Sequence, residues 1–223
     1  MKRVENPQLT KDILTRLGEL YIDRGRHEGI HLTDLIYCLT KSYHDRTDPL
    51  PPTDRELMLF SVGLSLQMVL IPPEQNAMVL ERDGILCSPD FISIGGRLSE
   101  LKTTRTSMME KNKDTGVRGY KDLPQTWYEQ IMGYSYAAGL QEYELAVLHL
   151  MGDYAPPFPT LMGWRLSFDR EELEKYWLYI KGRKLVLEAT IEVHIPPKPF
   201  QWCKEWECDG CRYKLRCDVV SQG

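Results

Sequence analysis

Asp90 follows Pro89, Glu100 comes ten residues later, and Lys102 stands two beyond Glu100. Two carboxylates suit a hard divalent cation such as Mg2+ or Mn2+, which prefers oxygen ligands and keeps coordinated waters for an anionic substrate. Such an ion lowers the pKa of a bound water and neutralises charge developing on phosphorus. Glu100 and Lys102, two apart on a strand, share a face, so Lys102 can orient an attacking water or stabilise a pentavalent phosphate. The grouping fits phosphodiester hydrolysis. Solvated strand residues would show the same short pattern, so other residues must add to it. Gln130 and Tyr134, four apart on one face of a predicted helix, supply two further polar groups.

A second grouping is made of thiols. Cys208, Cys211 and Cys217 form C-x2-C-x5-C, and Cys38 lies far upstream. Three local thiolates need a fourth ligand, for which Cys203 is the substitute nearest in sequence. Zinc and iron-sulfur clusters both accept four cysteines, and spacing leaves them comparable. Cys87 sits in a predicted core strand and reads as a small buried hydrophobe.

The elements that must position these groups follow from periodicity and breakers. Helical spacing covers Thr10 to Asp23 and Thr33 to His44, and Pro49-Leu50-Pro51-Pro52 ends the second pattern. Thr53-Asp54-Arg55-Glu56 has capping-box spacing, which opens a third helix that stops at Pro72-Pro73. From Met78 the pattern turns strand-like. Ile85 to Ile94 and Leu98 to Thr104, separated by Gly95-Gly96, predict a hairpin.

Register tests the carboxylate pair. A two-residue turn would put Asp90 and Glu100 on opposite faces. A three-residue loop Gly95-Gly96-Arg97 with a bulge makes Ile94 oppose Leu98, Ile92 oppose Glu100 and Asp90 oppose Lys102, all on one face. That register, or a kink at Pro89, is the expectation. A polar loop then runs to Lys121, a helix covers Leu123 to Leu140 with Pro124 near its first turn, and strands cover Tyr143 to Met151 and Thr160 to Phe168. A last helix spans Arg170 to Glu188, and Pro196, Pro197 and Pro199 lead into the cysteine-rich end. The order is mixed α/β.

With 223 residues the chain suits one domain. Within it, residues 1–75 read as a helical part, 76–190 as a catalytic core and 191–223 as a tail. Apolar residues make up 42% and charged residues 27%, and no run reaches the roughly 18 apolar residues of a membrane helix. With no apolar segment behind Met1-Lys2-Arg3, a secretory signal is not supported and a cytoplasmic location is expected. There the six cysteines read as ligands or buried residues rather than disulfides. A net charge of -4 argues against a broadly basic nucleic-acid coat and leaves room for a local basic groove.

Together these residues resemble the RecB-like PD-(D/E)XK nucleases that carry a four-cysteine iron-sulfur cluster, and most closely the small CRISPR-associated exonucleases of spacer acquisition. The resemblance spans 31–217: His31-Leu32-Thr33-Asp34-Leu35-Ile36-Tyr37-Cys38, then Asp90, then Glu100-Leu101-Lys102-Thr103-Thr104, then Gln130 to Tyr134, then the C-x2-C-x5-C tail. It implies a restriction-endonuclease-like core, a mixed central sheet flanked by helices, with the helical region and the tail joined by a metal cluster. It implies that Asp90, Glu100 and the Leu101 carbonyl bind Mg2+ or Mn2+, that Lys102 is catalytic, and that Gln130 and Tyr134 support the site. Cys38, Cys208, Cys211 and Cys217 would hold a 4Fe-4S cluster. One departure concerns the family's G-x-x-x-H, which here is Gly63-Leu64-Ser65-Leu66-Gln67; an amide oxygen is a weaker donor than imidazole.

DNA is the expected partner, through Arg105, Lys111, Lys113, Arg118 and Lys121 of the polar loop, a region that is equally well an ordinary solvated loop. Trp127, Trp202 and Trp206 are candidates for base stacking, although packing is the commoner use. The expected activity is single-strand exonuclease processing of DNA ends in CRISPR adaptation or in recombination and repair, with proteins of those systems as partners; homo-oligomerisation stays open. The alternative is a weakly active or non-catalytic DNA-binding subunit that keeps the fold and the cluster.

Overall fold

The computed structural model describes residues 7–23, 28–111, 116–151, 159–199, 201 and 203–221. Helix α1 spans Pro7–Asp23 and is followed by the two-residue strand β1, Ile30–His31. The predicted helix over Thr33 to His44 is two helices, α2 (Leu32–Ile36) and α3 (Leu39–Thr47), broken at Tyr37-Cys38, where the backbone is non-helical. Tertiary partners explain the break. Buried Arg183 donates to the Leu35 and Tyr37 carbonyls, and the Cys38 N–H donates to a Glu207 carboxylate oxygen at 2.6 Å. Those partners satisfy the backbone groups that a helix end leaves open.

Helix α4 (Asp54–Leu70) begins as its capping box requires: Glu56 N–H donates to Thr53 Oγ1 and Thr53 N–H donates to Glu56 Oε2. The predicted strand Ile85 to Ile94 is also divided. Strands β2 (Leu80–Arg82) and β3 (Ile85–Cys87) join β1 in a small sheet ordered β1-β3-β2. After the interruption at Ser88-Pro89-Asp90, β4 (Phe91–Ile92) starts a different sheet with β5 (Leu98–Thr104). Proline has no N–H to extend the first ladder.

The stretch read as a polar loop contains a hairpin, β6 (Met109–Lys111) and β7 (Arg118–Tyr120). Helix α5 (Gln125–Ala138) ends on Gly139, whose φ of 70° is a left-handed C-cap. Strands β8 (Glu142–His149) and β9 (Thr160–Ser167) follow, then α6 (Arg170–Glu192) and, in the tail, α7 (Lys214–Ser221). Among the described residues no helix is long and apolar enough to cross a membrane.

The principal sheet runs β4-β5-β8-β9, with β5 parallel to β8 and the outer pairs antiparallel. The chain between β5 and β8 passes through α5, and a helical crossover of this kind is what joining parallel neighbours requires. One face of β8 presents Tyr143, Leu145 and Val147, all buried, to a core that includes Leu32, Leu35, Ile131, Trp177, Ile180 and Leu187. Register places Glu100 beside Leu145 and Lys102 beside Val147. The carboxylate and amine therefore emerge on the core-facing side, under α5.

Candidate active site

The hairpin that carries the carboxylates has neither of the two turns considered from sequence. Ile92 opposes Leu98 and Phe91 opposes Ser99, and the loop is Ser93–Arg97, closed by Ser93 N–H to the Arg97 carbonyl and by Gly96 N–H to the Ser93 carbonyl. Gly96 takes a φ of 74° there, a conformation that favours glycine. The expected pairings of Ile92 with Glu100 and Asp90 with Lys102 are thus off by two residues, because two more residues enter the loop. The parity survives. Continuing the ladder by one residue brings Asp90 against Glu100, and the Leu101 N–H donates to Asp90 Oδ2 at 2.8 Å.

Around this pair the polar groups interlock. Lys102 Nζ donates to Glu100 Oε1 and to Gln130 Oε1, each at 2.7 Å. Gln130 Nε2 reaches Glu100 Oε1 at 2.9 Å and the Tyr134 hydroxyl at 2.8 Å. Gln67, on α4, donates through Nε2 to Asp90 Oδ1 at 3.2 Å. Glu100, Gln130 and Tyr134 are buried, and Tyr134 is more enclosed than a helix-surface tyrosine would be. Among the described residues, buried Glu100 Oε2 has no hydrogen-bond partner. An orphaned carboxylate oxygen next to a second carboxylate is the group that a cation would satisfy.

Burial pushes the Glu100 carboxyl up to about 7; the Lys102 ammonium opposes that rise and Asp90 adds to it. Burial also raises Asp90, against the Leu101 N–H, Lys102 and Gln67, which favour its charged form. For Lys102, burial lowers the pKa, yet Glu100 and Asp90 outweigh it and the net direction is upward. Lys102 is thus held as an ammonium between a carboxylate and an amide. The Tyr134 phenol lies well above its usual range, first through burial, so it acts as a neutral hydroxyl.

An open groove of about 300 Å³ gives access to this cluster, lined on one side by Asp90, Glu100, Leu101, Lys102 and Thr103 and on the other by α4. Among the described residues, none of the loop cations expected to hold DNA lines it. Arg105, Lys111, Arg118 and Lys121 are exposed on or beside the β6–β7 hairpin, and Lys113 lies outside the described residues. Trp202 is likewise outside them. Trp127 packs against the core, and Trp206 meets Tyr37 edge to face at 6.4 Å. Sequence reasoning passed over Tyr37. Burial raises its phenol, the Lys102 ammonium counters this, and its hydroxyl bonds the Thr126 side chain, so it stands between the site and the tail. Its place immediately before Cys38 was the available signal.

The thiols of the tail converge on the break after α2. Cys203 Sγ lies 3.9 Å from Cys208 Sγ. Burial pushes the Cys203 thiol up to about 12, with Cys38 and Cys208 adding to it, and the Cys217 thiol up to about 11, with Cys38, Cys211 and Cys208 adding. Cys87 is fully buried in β3, its thiol pushed to about 12 by burial alone. Among the described residues no three His, Cys, Asp or Glu side chains already stand as a single-ion site.

No family model and no curated protein matches the chain. Among solved structures, the crystal structure of SSO0001 superposes with a TM-score of 0.54 at 16% identity, over 93% of this chain and 95% of that one. This likeness shows a shared fold. A phage-related exonuclease from Haemophilus somnus 129PT (TM-score 0.45, 12% identity, 76% of this chain and 97% of that one) and an alkaline exonuclease from Laribacter hongkongensis (TM-score 0.44, 12% identity, 81% and 93%) superpose more loosely and add nothing to the assignment.

Proposed function

We propose that this chain is a divalent-metal-dependent DNA nuclease with a restriction-endonuclease-like core, acting on the ends of single strands. The observation that carries the reading is the buried Glu100, one oxygen bonded to Lys102 and Gln130 and the other without a partner among the described residues, beside Asp90 in an open groove. Mg2+ or Mn2+ would be held by Asp90, Glu100 and the Leu101 carbonyl, with Gln67 as a further oxygen donor if its amide turns over. Bound there, the cation supplies electrostatic stabilisation of the charge that develops on phosphorus.

The chain's own residues do the rest. Two of the three Lys102 N–H donors are used by Glu100 and Gln130, so the third is aimed by its neighbours and is available to a non-bridging phosphate oxygen. Gln130 fixes that aim and is itself fixed by Tyr134. The exposed Arg105, Lys111, Arg118 and Lys121 lie outside the groove, where they can guide the flanking backbone.

Cys38, Cys208, Cys211 and Cys217 would bind a 4Fe-4S cluster, the reading supported by the convergence of these thiols. CRISPR adaptation and recombination or repair are the settings that match such an end-processing activity. A second reading has one specific observation in its favour: the Gln67 amide N–H occupies Asp90 Oδ1, an oxygen a cation would need. A weakly active DNA-binding subunit would result. An assay of cluster-intact protein on end-labelled single- and double-stranded DNA with Mn2+ or Mg2+ decides between them. Shortening of single strands, abolished in Lys102→Ala, is expected. Intact DNA at stoichiometric enzyme would overturn the nuclease reading.

A further inference from the structure

At Tyr37 the thiol end of the molecule meets the carboxylate site. The residue stands in the break between α2 and α3, immediately before Cys38. Its main chain is fixed on both sides: Arg183 Nη2 donates to the Tyr37 carbonyl at 2.6 Å, and Glu207 accepts the next N–H, that of Cys38. Its ring meets Trp206 of the tail edge to face at 6.4 Å. A side chain held at both its backbone and its ring has its rotamer chosen by those neighbours, and its hydroxyl is aimed with it.

The hydroxyl reaches α5. It bonds the Thr126 side chain in the first turn of that helix, and the Lys102 ammonium lies within electrostatic reach of the same phenol. Thr126 is four residues before Gln130, so the two share one face of α5, and both are buried. Gln130 in turn accepts from Lys102 at 2.7 Å and donates to Glu100 at 2.9 Å.

We propose that Tyr37 is a positioning residue for the reaction: through Thr126 it sets where the buried face of α5 stands against Lys102, and so the aim of the ammonium. Small displacements matter there. A hydrogen bond weakens steeply as its angle departs from linear, and a group that must meet a reacting phosphate loses rate when it is misplaced. A phenylalanine at position 37 would fill the same space beside Trp206, so the hydroxyl is what separates positioning from packing. Because the next residue is Cys38, one break in the chain serves both the thiols and the carboxylate site.

This role rests on the nuclease reading and deepens it. Tyr37→Phe tests it, keeping the ring and the main-chain bonds and removing the hydroxyl alone. With cluster-intact protein on single-stranded DNA, kcat should fall about ten-fold with KM unchanged, a loss of the size one hydrogen bond accounts for. The absorption near ~400 nm should be kept, since no thiol is altered. Thr126→Val should lose as much, and the double variant no more than either alone, because both delete the same bond. Tyr179→Phe is the control: its hydroxyl also accepts from Arg183, at a position 54% exposed on α6, and it should cleave as wild type. In metal-free protein labelled with 15N-lysine, the ammonium resonance that Lys102→Ala removes should shift in Tyr37→Phe and stay in place in Tyr179→Phe. Wild-type kcat in Tyr37→Phe, losses that multiply in the double variant, or an unmoved Lys102 resonance would each overturn the positioning role and leave the nuclease standing. Wild-type protein that cleaves nothing would overturn the nuclease reading, and this role in the reaction with it.

Discussion

Glu100 is ionised at neutral pH only in part, because burial raises its carboxyl to about 7 while Lys102 resists the rise. Its folded pKa lies above the ordinary value of 4.5, so the folded state binds the proton more tightly than the unfolded chain does. The stabilising effect of that proton is complete below about 4.5 and is lost as pH rises through about 7. Without metal, Glu100→Gln should therefore be more stable than wild type above pH 7. The gap is on the order of 3 kcal/mol and should close toward pH 4.5. Saturating Mn2+ should reverse the order, since the ion satisfies the ionised carboxylate. Thermal denaturation across pH, with and without Mn2+, checks this; a gap that does not change with pH would refute it. Lys102→Ala should lower cleavage by several orders of magnitude with DNA binding retained, measured as kcat against Kd. Asp90, Glu100, Lys102, Gln130 and Tyr134 were singled out by residue type, spacing and the family resemblance, and the structure brings them together. The orphaned oxygen and Tyr37 were not, since both depend on which groups the tertiary fold brings near.

At the scale of elements, the sequence pattern failed where distant partners overrode local periodicity. Thr33 to His44 reads as one amphipathic run, and only Arg183 and Glu207, from α6 and the tail, show why it must stop at Tyr37-Cys38. The β6–β7 hairpin escaped notice because its exposed strands carry no alternation of buried and exposed positions. Helix α5 is held against α2 by Gly133, where an added Cβ would come within 2.4 Å of the Leu32 side chain. Leu32 is fully buried, so any shift it makes is into packed core. Alanine gains up to about 1 kcal/mol in helix propensity, but overpacking costs about 1 to 3 kcal/mol, so Gly133→Ala should be net destabilising and should displace Gln130 with its helix. A rise in melting temperature would refute that packing. Gln67→His should tighten Mn2+ binding, because imidazole offers a lone pair where the amide N–H now faces Asp90. Calorimetry showing unchanged affinity would mean that position 67 does not meet the ion.

For the whole molecule, what matters is how the two ends of the chain meet. Tyr213 is fully buried, donates its hydroxyl to Asp45 Oδ1 at 2.7 Å and accepts from the Leu50 N–H, while Arg212 pairs with the same carboxylate. Together with Glu207 on Cys38 N–H, these bonds seat the cysteine-rich tail on α3 and on the break before it. A centre bound by Cys38 and by Cys208, Cys211 and Cys217 would close a loop of most of the chain. Treated like a long-loop disulfide, that closure removes unfolded-state entropy worth about 4 to 5 kcal/mol, less any strain in the folded state. Protein purified without oxygen should accordingly be brown, with broad absorption near ~400 nm from thiolate-to-iron charge transfer. Cys38→Ala should bleach it and lower the melting temperature, whereas Cys87→Ala, in a thiol buried within β3 and remote from this chemistry, should keep the colour. Tyr213→Phe separates packing from ligation. It strands the Leu50 N–H and a share of the Asp45 charge at a cost of about 1 to 3 kcal/mol, yet removes no thiol, so colour should persist while stability falls. A colourless wild-type protein holding one zinc would replace the cluster with an ion. The carboxylate site would be untouched, because Asp90, Glu100 and Lys102 are positioned by β5, α5 and α4 and by their own hydrogen bonds, whichever centre the thiols hold.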